Sequence, residues 1–287
     1  MRHLLIGLTL LGACTADVES GEALMVVARQ VTFAAREAEV EDGPDISVGV
    51  DLDGVDTQMP EEGACFQADF VSPDGRRGVD NAFAFLFELV ESFFQEGTVE
   101  GIIQGTINEG RLLMMFGVTG VDDWENDESV VLEVFLGDGR PDIGGDGFIV
   151  SGQTFDRDLE SETIFVSASI VNGALETEAF ELTMPMAFFN VFFDLRLHGA
   201  KIRAEVSPDG EWRGVVAGAI DGQDVVDLAV QADMMQEIQV SGILENLLPN
   251  WVDLGYDASA GTCSQLSATL VFESTRTFVF DEPPTAE

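Results

Sequence analysis

A cysteine, a proline-aspartate-glycine turn and a pair of helix-start residues crowd into one short segment, residues 65–81, CFQADFVSPDGRRGVDN. The cysteine constrains the fold most, because only Cys65 and Cys263 remain once Cys14 at the front of the chain is set aside. In an oxidising compartment an even pair is by default a disulfide, and this one would tie the last strands to a segment in the first third of the chain. Two buried free thiols are the other reading. A structural zinc site is disfavoured: His198 is the sole histidine beyond the leader, leaving too few nitrogen and sulfur ligands. A crosslink of that span suits one domain better than two.

Within the same segment, Ser72-Pro73-Asp74-Gly75 suits a tight turn, since proline pre-sets φ, aspartate accepts a local hydrogen bond and glycine tolerates positive φ. Asp80 and Asn81 can accept from the free amides of a helix starting near Ala82, which makes them candidate N-caps. In that helix Glu88, Glu91, Ser92 and Gln95 share one side, and Phe83, Leu86, Phe87, Leu89 and Val90 cover the rest. A wide buried face follows, closed at Gly97.

The chain opens MRHLLIGLTLLGAC. A basic start at Arg2 followed by an apolar run too short to span a bilayer reads as a signal peptide. Its end, Leu11-Gly12-Ala13-Cys14, resembles the lipobox of bacterial lipoproteins, in which small residues precede a cysteine that is diacylated and becomes the new N-terminus. The resemblance implies a leader of residues 1–13, lipidation of Cys14 and a tether over residues 14–23. An ordinary secretory signal cut near Ala13 or Ala16 is the alternative. Thr15 follows the cysteine where an inner-membrane retention aspartate would stand, so the resemblance implies the outer membrane, periplasmic or cell-surface side undetermined.

Acidic residues outnumber basic ones 53 to 13, for a formal charge of -40, and Lys201 is the sole lysine. Such a field repels phosphate backbones, so nucleic acid is not an expected partner. It permits divalent cations, and it is also what salt adaptation selects. With 46% apolar residues the chain has ample core and is not disordered by composition.

Period-two patterning dominates beyond the helix. Strands are expected at 24–33, 46–52, 111–118, 129–136, 148–151, 163–171, 180–184 and 186–193. A second helix is expected from Thr98 to Gly110, and two more around Val225–Met235 and Ile243–Leu248, the last stopped by Pro249. Between Leu197 and Ala200 the inward parity shifts by one residue, which requires a bulge that Gly199 can make. Ser207-Pro208-Asp209-Gly210 then predicts a hairpin into Trp212–Ile220. Last strands are expected at 265–273 and 277–280, before a disordered tail over 281–287. The expectation is an α+β fold: one β-rich domain over residues 24–280, with antiparallel, sandwich-like sheets and about four helices.

Two acidic clusters are candidate calcium ligands, because closely spaced carboxylates offer hard oxygens. One is Asp51, Asp53 and Asp56 in DLDGVD, which departs from the EF-hand pattern at Val55 and Asp56. The other is Asp138, Asp142 and Asp146 in the glycine-aspartate loop of residues 137–147. Solvated loops are the plainer reading of both. For catalysis the sequence offers no constellation: a serine triad would have to use His198, no GxSxG elbow is present, and no glycine loop leads into a lysine.

The lipobox, the DLDG of residues 51–54, the CxxxDFxSPDGxxGVDN of residues 65–81 and a late cysteine before a final β region together resemble a type of envelope lipoprotein found in myxobacteria. That resemblance implies export and a single domain, and brings no activity with it. The expected function is a lipid-anchored module of the cell envelope, binding or structural, with a protein, glycan or cation partner. The alternatives are a secreted hydrolase using paired carboxylates and a calcium-stabilised adhesin.

Overall fold

The computed structural model describes residues 23–37, 45–58, 65, 67–92, 95, 97–188, 191–236 and 241–280. The expected leader, the lipidation cysteine Cys14 and the tail of residues 281–287 lie outside the described residues. In chain order come strands β1 (Leu24–Phe33), β2 (Arg36–Glu37) and β3 (Ile46–Ser47), then helices α1 (Phe83–Ser92) and α2 (Thr98–Asn108). Strands β4 (Met114–Thr119), β5 (Asn126–Asp138), β6 (Thr154–Arg157), β7 (Ile164–Val171) and β8 (Ala174–Thr177) follow. After β9 (Phe180–Phe188), β10 (Val191–Glu205) and β11 (Arg213–Asp221) lie helices α3 (Gly222–Gln236) and α4 (Ser241–Leu247), and the chain closes on β12 (Gln265–Phe280).

The expected β-rich α+β fold is present, and its antiparallel sheet closes on itself instead of splitting into two faces. The circuit β1-β4-β5-β7-β8-β10-β11-β12 returns to β1, every neighbour antiparallel. Closure leaves no edge along the circuit, which a sandwich cannot achieve. Registers place Phe116 opposite Val26 and Val134, and Leu270 opposite Val216, so one parity of each strand points inwards. These side chains are almost fully buried, and the Phe116 and Phe272 rings stack with centroids 4.8 Å apart. The barrel is therefore a packed core, filled by its own side chains. Trp212 adds to it with its indole N–H donated to Ser207 O at 3.0 Å.

Three further pieces pack on the barrel, and one of them, the segment of residues 45–58, covers outward-facing positions. Helix α2 lies against β1 and β9, with Ile103 and Ile107 in the core. The segment of residues 45–58 lays Val48, Val50 and Leu52 over Val215, Ala217 and Val271. Leu86 of α1, Ala229 of α3 and Leu244 of α4 close over Leu266. Strand β9 extends the line of β8 along β10, pairing Phe180 to Phe188 with Ala200 to Val191. Among the described residues β9 pairs with β10 alone, while β7 stays with β5, so the two diverge beyond β8.

Several expectations hold at residue resolution. The register of β10 slips between His198 and Lys201, and Gly199 has φ 57. Both SPDG turns form, with Gly75 N donating to Ser72 O at 2.8 Å and Gly210 N to Ser207 O at 3.1 Å. Others need correction. Of the strand expected at 46–52, only Ile46–Ser47 forms a ladder. The remainder alternates because it is half buried on β11 and β12, and Gly49 sits so close to Val79 Cγ1 that a Cβ would lie 2.7 Å from it.

The strand expected at 148–151 is loop, joined to Ile143 by an isolated bridge, and the strand proper is β6. The run 186–193 is not one strand: residues 186–188 belong to β9 and residues 191–193 to β10, and the two pair antiparallel with Val191 opposite Phe188. Strand β12 runs unbroken through Ser274-Thr275-Arg276, which reads as a gap by polarity. Ser274 and Thr275 are buried, and their hydroxyls bond Trp212 N and Glu211 Oε1.

Candidate cation site and acidic cleft

Among the described residues two places on the barrel stand out for their chemistry, and they are separate. The first is the segment of residues 45–81 where it crosses β11 and β12. Asp80 and Asn81, expected as helix caps, are instead buried ties. The Asn81 amide donates to Ala34 O at 3.2 Å and Ser47 Oγ at 2.8 Å, and its Oδ1 accepts from Thr269 N at 3.1 Å. Ser267 Oγ takes the capping role, accepting from Ala82 N at 2.7 Å. The Ser267 hydroxyl in turn bonds the Asp253 carboxylate, which also accepts from Ser267 N at 2.7 Å. Interior parity leaves these outward positions of β12 polar, and the covering segment supplies the partners that burial demands.

The DLDG turn folds back onto this network. Asp51 Oδ1 accepts from Gly54 N at 2.6 Å, and Asp80 Oδ2 accepts from Leu52 N at 2.6 Å. Asp51, Asp53 and Asp80 thereby bring three carboxylate oxygens within 4.8 Å of one another, the one such group of acids, histidines or cysteines among the described residues. Asp56 turns away to pair with Arg77 at 2.6 Å. The chain's sole lysine, Lys201, reaches this turn from β10 and donates to Asp51 O at 2.6 Å. Gly78 makes the close approach possible: its φ is 72, and a Cβ there would lie 3.3 Å from Asp51 Oδ2.

Electrostatics in this network are one-sided. Burial, with smaller contributions from the charges of Asp253, Asp69 and Asp53, pushes Asp80 up to about 8. Burial also pushes Asp253 up to about 7, against the hydrogen bonds from Ser267. Asp69, whose carboxylate accepts from Thr57 N at 2.6 Å, rises to about 6 through partial burial. Chemically, three hard oxygens around a strained negative charge suit a divalent cation such as calcium, which would hold Asp80 ionised.

The second place is a cleft of about 1080 Å³ where β9 parts from β7. Met114, Val134, Ile164, Leu182 and Met184 give it an apolar floor. Its rim is acidic and comes from the β5 end, the turn after β6 and the start of β9. Both arginines among its described lining residues are engaged: Arg157 with Glu133 at 2.7 Å, its guanidinium 3.8 Å from the Phe135 ring centroid, and Arg111 with Glu109.

The two expected calcium clusters do not meet. Asp138 lines the cleft, whereas Asp146 Oδ1 accepts from Phe148 N and Asp142 N donates to Gln153 Oε1, both within the loop. His198 stands between Glu181 Oε2 at 2.7 Å and Asp221 Oδ2 at 3.4 Å, so both ring nitrogens face carboxylates and neither faces a hydroxyl nucleophile. Cys65 and Cys263 are joined, with Cα atoms 5.8 Å apart, fastening the covering segment to the turn before β12. The sequence reading missed Asp80 and Asp253 as buried acids. Asp253 stands between Val252 and Leu254, but Asp80 stands between Val79 and Asn81, so the local sequence gives the two no common signal.

Comparison with protein-family models, with curated proteins and with solved structures finds no match to this chain.

Proposed function

We propose that this chain is a lipid-anchored module of the bacterial cell envelope, binding or structural, held at the outer membrane by acyl chains on Cys14. The order of basic start, apolar run, small residues and cysteine supports the anchor, and the Cys65–Cys263 bond accords with an oxidising compartment. Among the described residues no helix is long and apolar enough to cross a membrane, and a lipid anchor needs none.

One observation favours a module over a carboxylate hydrolase. The acids with raised pKa, Asp69 and Asp80 in the segment of residues 45–81 and Asp253 beside β12, all lie away from the cleft, and none of them lines it. Acid-base catalysis on a substrate requires such a group within reach of the bond it cleaves. The anchor is tested by intact-mass measurement on membrane fractions of the producing bacterium. The expected result is a chain beginning at Cys14 with two or three acyl chains' added mass, and release of Cys14→Ser into the soluble fraction. A wild-type chain recovered soluble and without lipid would overturn the reading.

The geometry of Asp51, Asp53 and Asp80 favours a second reading, a calcium-stabilised module acting as an adhesin. Saturating calcium is then expected to raise the melting temperature by about 5 °C, chelator to reverse it, and Asp53→Asn to abolish it. An unchanged melt removes this reading.

A further inference from the structure

We propose that the cleft between β7 and β9 is a docking slot for a cationic, amphipathic extended peptide segment of a partner protein. This deepens the module reading by naming what the module holds, and it does not depend on the lipid anchor. Three features of the slot converge on that occupant.

The first is shape. Among the described residues strand β9 pairs with β10 alone and turns its other edge to the cleft, with Pro185 set in it opposite Asp194. Proline is tolerated on an edge strand, where it guards against indiscriminate strand pairing. Along β9 the side chains alternate, Glu181 and Thr183 exposed, Leu182 and Met184 buried in the floor. An added strand would therefore place alternate side chains over an apolar floor and an acidic rim.

The second feature is charge. Asp156, Glu160 and Glu162 stand exposed at the rim. Arg157 and Arg111, already paired, leave the acidic excess uncompensated. A basic segment gains from that field and an acidic one is excluded, as is an anionic bilayer.

The third is unburied apolar surface at the mouth. Leu159 is 90% exposed and Phe280 is 56% exposed, and both line the cleft. Large side chains left so open beside a groove are apolar surface that an occupant would bury. A small polyamine would meet the carboxylates and leave these two side chains in water.

The test uses the disulfide-bonded soluble chain from residue 15 onwards and a capped heptapeptide of alternating lysine and leucine, titrated by fluorescence anisotropy at low ionic strength. Saturable one-to-one binding is expected, weakened by added salt. Replacing the lysines by glutamate is expected to abolish binding, and replacing the leucines by serine to weaken it tenfold or more. Because the whole surface is acidic, a charge-matched control decides specificity. The triple variant D156N/E160Q/E162Q is expected to bind at least tenfold more weakly, while D122N/E128Q/E245Q, which removes three exposed acids elsewhere, stays within twofold. Leu159→Ser supplies an independent apolar test, with a loss of about threefold or more.

Equal losses in both triple variants, indifference to the leucines, or no saturable binding would each overturn the slot. None of these outcomes bears on whether Cys14 is acylated, so failure here and failure of the anchor are distinguishable.

Discussion

Asp80 shows how one residue can be read correctly in position and wrongly in role. Its place before a helix suggested a cap, but Ser267 performs the capping and Asp80 is sealed beneath the DLDG turn at 2% exposure. A carboxyl whose pKa rises from 3.8 when unfolded to about 8 when folded binds its proton more tightly in the native state. Its contribution to stability is therefore full below about pH 4 and is lost as pH rises through 8. Asp253, raised to about 7, acts in the same direction. The expected outcome is that Asp80→Asn is more stable than wild type at pH 9, by on the order of a few kcal/mol, with the difference vanishing near pH 4. Urea unfolding at both pH values measures it, and a pH-independent difference would refute the assignment. Hydrophobic spacing cannot reveal such residues, because burial of a polar group is decided by which segment happens to lie over it.

Elements were legible where a local rule fixes the backbone. The bulge at Gly199 followed from a parity change alone, and both SPDG turns from turn chemistry. They failed where period two meant half-burial without a ladder, as in residues 48–52, or where polar residues sat inside a strand, as in Ser274 and Thr275 of β12. Pairing geometry also makes demands that composition hides. On β11, Gly214 lies between Ala204 and Phe272, and a Cβ there would stand 2.4 Å from Arg203 O and 2.6 Å from Ala204 Cβ. Gly214→Ala is expected to cost about 2 to 3 kcal/mol by forcing β10 and β11 apart. A chemical denaturation midpoint shifted by less than the equivalent of 0.5 kcal/mol, the scale of a neutral surface change, would show that the sheet yields there.

For the whole molecule, the long-range bond between Cys65 and Cys263 was foreseeable from a count of cysteines, and it does what such a count implies: the covering segment and β12 are held as one body. Reduction, or Cys65→Ala with Cys263→Ala, is expected to lower stability by about 3 to 5 kcal/mol through the freed unfolded chain. Thermal unfolding with and without reductant checks it, and the loss is expected to fall on the entire transition, because the segment that it pins covers β11 and β12. The sequence alone determined a β-rich single body, its turns, its bulge, its acidity and its thiol pair, since each rests on neighbours a few residues apart or on composition. Only the tertiary structure decided that the sheet closes, that two aspartates are entombed, and that β9 leaves β7 to open a cleft. Those outcomes turn on which distant strands meet, and no spacing along the chain encodes that directly.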